Sequence, residues 1–194
     1  MTALLPLLQQ HLTHSTGAEA AATAELIKLI QNKEGCFERV AEEGAVHITA
    51  GVLLLNHDED RILLMHHKKL GMWMQFGGHA DGDSDLYNVA AKEVSEECGI
   101  EGITFLEPQP LEVARFSYPK EVFGYSKSML DVRFLAQAPK GAIAQKNSES
   151  KELRWCTLDE AFDLAASNDD PGTTNILKKY QASQEKKHYL KSSA

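Results

Sequence analysis

The residues with the clearest chemical potential close the stretch Gly77–Ile100, GGHADGDSDLYNVAAKEVSEECGI. With Asp85 to Cys98 as a helix turning about 100° per residue, Glu93, Glu96 and Glu97 fall within an arc of roughly 100°. Leu86, Tyr87, Ala90, Ala91, Val94 and Cys98 take the neighbouring arc and form the predicted buried stripe. Three carboxylates at the edge of a packed face repel one another, which is unfavourable without a counter-charge. One resolution is a solvated acidic face with Lys92 and Glu96 as an i,i+4 pair. The other is Mg²⁺ or Mn²⁺, hard cations that prefer carboxylate, carbonyl and water oxygens. The preceding loop tilts the balance toward the cation. Gly77, Gly78 and Gly82 allow a tight turn whose carbonyls can face a metal and whose amides can approach phosphate.

Several elements must hold that helix and loop in place. The first ~45 residues have helical propensity and periodicity, with Leu4, Leu7, Leu8 and Leu12 at helical spacing. A second helix, AEAAATAELIKLIQN, buries Leu26, Ile27, Leu29 and Ile30. From Ala45 the chain becomes β-branched and apolar. VHITAGVLLLN and RILLMHH read as two strands joined by the acidic turn HDED, with a short third strand from Met72 to Phe76. Gly99 suits a left-handed cap on the glutamate helix, and Ser84 suits its N-cap. Leu111 to Tyr118, Met129 to Ala136 and Leu153 to Thr157 are further predicted strands. Helices follow at Leu158 to Ser167 and from Asn175 to about Leu190. Strands framed by helices predict an α/β sandwich around a mixed sheet, with residues 1–44 as a helical extension packing on a main domain of 45–194.

The 194 residues include 28 acidic and 20 basic ones, a net charge of −8 that disfavours gripping a nucleic-acid duplex by a basic face. Small phosphate compounds remain accessible through a divalent cation. The longest apolar run, Ala50 to Leu55, falls far short of the roughly 20 residues that span a bilayer, so no membrane partner is expected. The N-terminal MTALLPLLQQHL lacks leading basic residues and a small-residue cleavage site, and reads as a surface helix rather than a signal peptide. Cys36, Cys98 and Cys156 are widely separated and odd in number; as buried apolar residues they suit a reducing cytoplasm.

The glutamate segment resembles the Nudix box, G-x5-E-x7-R-E-U-x-E-E-x-G-U with U a bulky apolar residue. The chain agrees at Gly78, Glu93, Val94, Glu96, Glu97, Gly99 and Ile100, seven of the nine fixed positions. It departs at two. Ser84 stands for the first Glu, with Asp83 and Asp85 beside it, and Lys92 stands for the Arg, without its planar bidentate reach. The wider chain is similar to a bacterial Nudix group through H47-I-T-A, H66-H-K-K-L-G-M-W, F76-G-G-H, D131-V-R-F-L and L153-R-W, over about residues 35 to 165.

The resemblance implies a Nudix-type α/β/α sandwich and a hydrolase that uses Mg²⁺ or Mn²⁺ to cleave a diphosphate bond in a small nucleoside diphosphate derivative. Its implied metal ligands are Glu93, Glu97 and the Gly78 carbonyl, with Glu96 as a third ligand or the partner of Lys92. Glu149, in the polar run QKNSESKE, is the candidate general base and Glu152 its alternative, unless that run is only solvated surface. His79 either touches substrate phosphate or makes a structural hydrogen bond. Lys69, in the patch from His66, and Lys92 are further substrate candidates. Trp73 and Trp155 are expected in the core, while Phe116, Tyr118, Phe123 and Tyr125 are candidates for stacking on a base. A dimer through the N-terminal part accords with the family. Two rivals remain: a Nudix-like domain that binds a nucleotide without cleaving it, and an isopentenyl diphosphate isomerase, which needs a cysteine near F76-G-G-H.

Overall fold

The computed structural model describes residues 4–32, 35–118, 120–167 and 171–192. In chain order its elements are α1 (Leu4–Leu12), α2 (Gly17–Asn32), β1 (Ala45–Leu55), β2 (Ile62–His67), β3 (Trp73–Met74), β4 (Phe76–His79), α3 (Leu86–Cys98), β5 (Thr104–Phe105), β6 (Glu112–Tyr118), α4 (Lys120–Phe123), β7 (Lys127–Gln137), β8 (Ser150–Cys156), α5 (Leu158–Ala166) and α6 (Pro171–Ser192). The eight strands form one mixed sheet whose centre is β1 paired in parallel with β7, in unbroken register from Ala45↔Lys127 to Leu55↔Gln137. The remaining pairs are antiparallel. On its other edge β1 changes partner midway: Thr49 to Val52 pair with β4, and Leu54 and Leu55 pair with β2. The sheet therefore splits beside β1.

The two faces of the β1–β7 pair carry separate cores. Ile48, Ala50, Val52 and Leu54 of β1, with Leu130, Val132, Phe134 and Ala136 of β7, meet Leu86, Val89, Ala90 and Val94 of α3. Leu4 and Leu8 of α1 and Ala22 and Leu26 of α2 join this core. Leu53, Leu55 and Leu135 point the opposite way, onto Ala161 and Ala165 of α5 and Ile176, Leu177 and Tyr180 of α6. Helices on both faces of a mixed sheet make the α/β/α sandwich that the alternation predicted.

Local sequence accounts for the ends of α3. Asp85 caps it, its Oδ1 accepting from the Tyr87 and Asn88 amides at 3.1 and 3.2 Å, and Asp83 Oδ1 accepts from the Asp85 amide. The cap is thus Asp85 and not Ser84, because the carboxylate one residue later aligns with two free amides. Gly99 closes the helix at φ 69°, as expected. Two positions of the predicted stripe, Tyr87 and Ala91, are only half-buried, and Val89, outside the predicted stripe, is buried. Chain Phe76-Gly-Gly-His79, expected as a strand end running into a loop, is itself strand β4. The short β5 and α4 were not anticipated. Among the described residues no helix is long and apolar enough to cross a membrane.

The N-terminal helices are tied to the sheet by charge as well as by packing. Glu19 of α2 accepts from His11 at 3.1 Å, from the Val113 amide of β6 at 3.3 Å, and from Lys179 of α6. Burial pushes its carboxyl up, but the His11 and Lys179 hydrogen bonds and charges outweigh burial and hold it at about 2. A carboxylate with a native pKa below its unfolded one stabilises the fold above the unfolded value, near 4.5, and loses that contribution as pH falls toward 2. Urea unfolding of Glu19→Gln should therefore show a lower midpoint than the parent at neutral pH, and the gap should close progressively between pH 4.5 and 2.

Candidate active site

Where α5 and α6 stop covering the sheet, the same face turns polar. Along β1 that face reads His47, Thr49, Gly51, then Leu53 and Leu55; along β7 it reads Lys127, Met129, Asp131, Arg133, then Leu135. The change falls at the same level on both strands. The antiparallel neighbours extend the polar floor: His79 and Gly77 of β4 lie opposite Thr49 and Gly51, and Glu112, Phe116 and Tyr118 of β6 lie opposite Arg133, Met129 and Lys127. Over it opens a cleft of about 480 Å³, walled on one side by α3.

Buried charges hold the floor together. Arg133, only 4% exposed, donates to Asp131 and Glu112 at 2.7 Å each and to the Gly172 carbonyl at the start of α6 at 2.9 Å. The remaining Asp131 oxygen accepts from Thr49 at 2.7 Å. The Arg133 guanidinium also lies over the Phe116 ring, 4.5 Å from its centre. Removing one partner from so enclosed a network leaves an uncompensated charge, so each group fixes the others.

The α3 wall carries the three glutamates. Glu97, 5% exposed within the helix's packed stripe, accepts from the Gly77 amide at 3.0 Å. Burial, and next the carboxylates of Glu93, Glu149 and Glu96, push its pKa up to about 8 against that hydrogen bond. Glu93 is also raised, by burial and then by Glu96, and its carboxyl rests on Gly78, where any side chain would overlap it. Glu96 points outward to Lys92 at 3.4 Å. Each glutamate has a separate partner. Among the described residues no three His, Cys, Asp or Glu side chains are gathered closely enough to hold a metal ion. The donor set still fits a hard cation: carboxylates share one wall beside the Gly77–Gly78 backbone, and Glu93 and Glu97 are raised first by burial and then by neighbouring carboxylates, whose repulsion a divalent cation would relieve.

Glu149 reaches the same wall from the connection before β8. That run is docked: the Gln145 amide donates to the Cys98 carbonyl at 2.8 Å, Asn147 Nδ2 to the Glu96 carbonyl at 3.0 Å, and the Glu149 amide to Asn147 Oδ1 at 2.8 Å. Lys68 fastens it from β2's end, Nζ to the Ser148 carbonyl and its amide to the Glu149 carbonyl, both at 2.8 Å. Glu152 lies away from the cleft on β8, paired with Arg154 at 2.6 Å.

Of the residues singled out from sequence, Gly78, His79, Lys92, Glu93, Glu96, Glu97 and Glu149 line the cleft, and Lys69 does not. Phe116 and Tyr118 line it and Tyr125 does not; the Phe123 side chain lies outside the described residues. Trp73 is buried in the α5–α6 core and stacks on His66, and Trp155 packs half-buried against the other core, as expected. All three cysteines are buried outside any disulfide, and none lines the cleft, which removes the group that the isomerase reading needs. Sequence reasoning missed the floor itself, Thr49, Lys127, Asp131 and Arg133, and Arg39 at its edge. The available signal was parity: in KSMLDVRFL the charges stand on one face of an otherwise apolar strand.

A search of curated protein sequences finds no match. Solved structures share the fold. The Ap4A hydrolase of C. elegans, in a binary complex, aligns with a TM-score of 0.57 at 23% identity over 72% of this chain and 98% of that one. The E. coli dihydroneopterin triphosphate pyrophosphohydrolase aligns at 0.56 and 14% over 69% and 93%. The MutT protein from Methanosarcina mazei Go1 aligns at 0.54 and 18% over 75% and 99%. The NUDIX domain family model matches residues 45–179, well over half of the chain and inclusive of the whole glutamate wall. This protein therefore belongs to the Nudix family.

Proposed function

We propose that this chain is a metal-dependent hydrolase that cleaves a diphosphate linkage in a nucleoside diphosphate derivative by attack of water on phosphorus. Membership of the Nudix family supports pyrophosphate-bond hydrolysis in general. The observation that carries the finer reading is the wall of carboxylates, Glu93, Glu96, Glu97 and Glu149, facing one cleft beside a glycine backbone. Glu93, Glu97 and the Gly78 carbonyl would hold Mg²⁺ or Mn²⁺, with Glu96 either joining them or remaining with Lys92. A cation held there would supply charge to neutralise phosphoryl oxygens and would lower the pKa of water. Glu149 accepts the proton of the attacking water, and His79 and Lys92 contact the substrate. Lys68 and Asn147, which dock the Glu149 connection, act as positioning residues. Residues 1–44 serve as an extension that completes the core and cleft of the domain at 45–194, in a cytoplasmic protein that pairs through this part.

Turnover of a panel of sugar nucleotides, dinucleotides and nucleoside triphosphates with Mg²⁺ or Mn²⁺ tests the reading. We expect release of a nucleoside monophosphate, reduced by at least about 100-fold in Glu97→Gln. Failure of the whole panel to turn over, with nucleotide binding retained, would contradict hydrolysis and favour a binding module.

The two glycines of β4 provide a sharper contrast. A Cβ at Gly77, whose φ is 156°, would lie 2.6 Å from the Ala50 carbonyl oxygen and 2.8 Å from the Gly51 Cα, both backbone atoms that cannot yield. At Gly78 the three nearest atoms all belong to the flexible end of Glu93. Gly77→Ala should therefore lower the melting temperature markedly. Gly78→Ala should leave it near the parent value while displacing Glu93 and abolishing metal-dependent turnover.

A further inference from the structure

The last residue of β2 also enters the cleft, and the roles above leave it unused. His67 lines the cavity half-buried, at the point where the register of β2 against β8 shifts. Its backbone closes a turn: the His67 amide donates to the Met72 carbonyl and its carbonyl accepts from the Gly71 amide, both at 2.8 Å. The ring folds back over the same turn, where Nδ1 accepts from the Lys69 and Leu70 amides at 3.1 and 3.3 Å. Backbone amides only donate, so Nδ1 presents its lone pair and the proton of the neutral ring sits on Nε2. Among the described residues no group accepts from that Nε2–H. Burial lowers the ring's pKa, with Lys69 adding to the effect and the Glu149 carboxylate opposing it, so the ring is uncharged at neutral pH.

We propose that His67 contacts the substrate, its Nε2–H donating a hydrogen bond to a phosphoryl oxygen of the diphosphate on the Glu149 side of the cleft. The inference rests on the hydrolase reading for the identity of that ligand. A lysine or arginine at this place would pair with Glu149 and hold the carboxylate that is to accept a proton from water. A neutral N–H grips an anionic oxygen without forming such a pair, and a hydrogen bond to a charged oxygen is stronger than one between neutral groups. Donor and proposed base are also set by one short segment. Lys68, the next residue, holds the Glu149 carbonyl through its amide and the Ser148 carbonyl through Nζ, both at 2.8 Å.

The contact is testable without turnover, using methylenediphosphonate, a diphosphate analogue that water does not cleave, in the presence of Mg²⁺. His67→Asn separates the contact from the turn, because an Asn carbonyl can still accept the turn amides two and three residues on but its amide is too short to replace Nε2–H. Calorimetric titration should show saturable binding to the parent, weakened about tenfold or more in His67→Asn with the melting temperature near the parent value. His67→Gln, which restores a donor at longer reach, should recover part of the loss. Ring ¹⁵N spectra at mildly alkaline pH should show His67 protonated at Nε2, with that signal moving when the analogue is added. Absence of binding to the parent, equal affinity in parent and His67→Asn, or a ring protonated at Nδ1 overturns the proposal. Equal affinity leaves the hydrolase reading untouched, and a failed hydrolysis panel beside His67-dependent binding refutes cleavage but not the contact.

Discussion

Everything at this site depends on the parallel pairing of β1 with β7. Their register runs unbroken from end to end, so a residue on one strand has its side chain beside the partner residue of the other. One face is apolar from Ile48 and Leu130 onward and receives α3. The other is apolar only from Leu53 and Leu135 onward, where α5 and α6 lie, and polar before that. Helices dock where apolar surface can be buried. Leaving Thr49, Lys127 and Asp131 clear of α5 and α6 is what creates the cleft, and the buried bonds from Arg133 to Asp131, Glu112 and Gly172 keep its floor rigid.

The same pairing sets the chemistry around that floor. Because β1 turns from β2 to β4 midway, the backbone of Gly77 and Gly78 is carried against the side of α3, where it meets Glu97 and Glu93. A carboxylate at position 97 is costly in a packed helix stripe, and a Gly77 amide does not cancel the repulsion from three neighbouring acids. Groups tolerated at such cost mark functional ground. The segment from Gly35 to Val40 shares in this design: Val40 accepts from His47, Phe37 accepts from the Gly82 amide, and Arg39 holds Asp81, so the chain preceding β1 helps shape the cleft mouth.

Much of this was legible beforehand because it is local. Helical period alone put Glu93, Glu96 and Glu97 on one side of α3, β-branched runs marked the long strands, and Gly99 marked the helix end. What escaped was tertiary. Only the register brings Asp131 beside Thr49 and Arg133 beside Gly51, since neither pair shares a segment. Strand β4 was obscured by its glycines, which are poor strand formers but here fit against Ala50 and Gly51 where a side chain at Gly77 could not. Composition left the polar run before β8 open between solvated surface and a catalytic loop, and only the fold shows Lys68 and Asn147 tying it to β2 and α3. Helix α1 is rotated so that His11 is buried where Leu12 was expected, because His11 finds Glu19 as a partner.

We propose that the α3 wall and the β4 glycines together form a divalent-cation site. Calorimetric titration of the metal-free chain with Mn²⁺, beside Glu93→Gln, tests it directly. Saturable binding in the parent, lost or strongly weakened in Glu93→Gln with the melting temperature retained, is the predicted result. No saturable Mn²⁺ binding in the parent, or equal binding in both proteins, would contradict it.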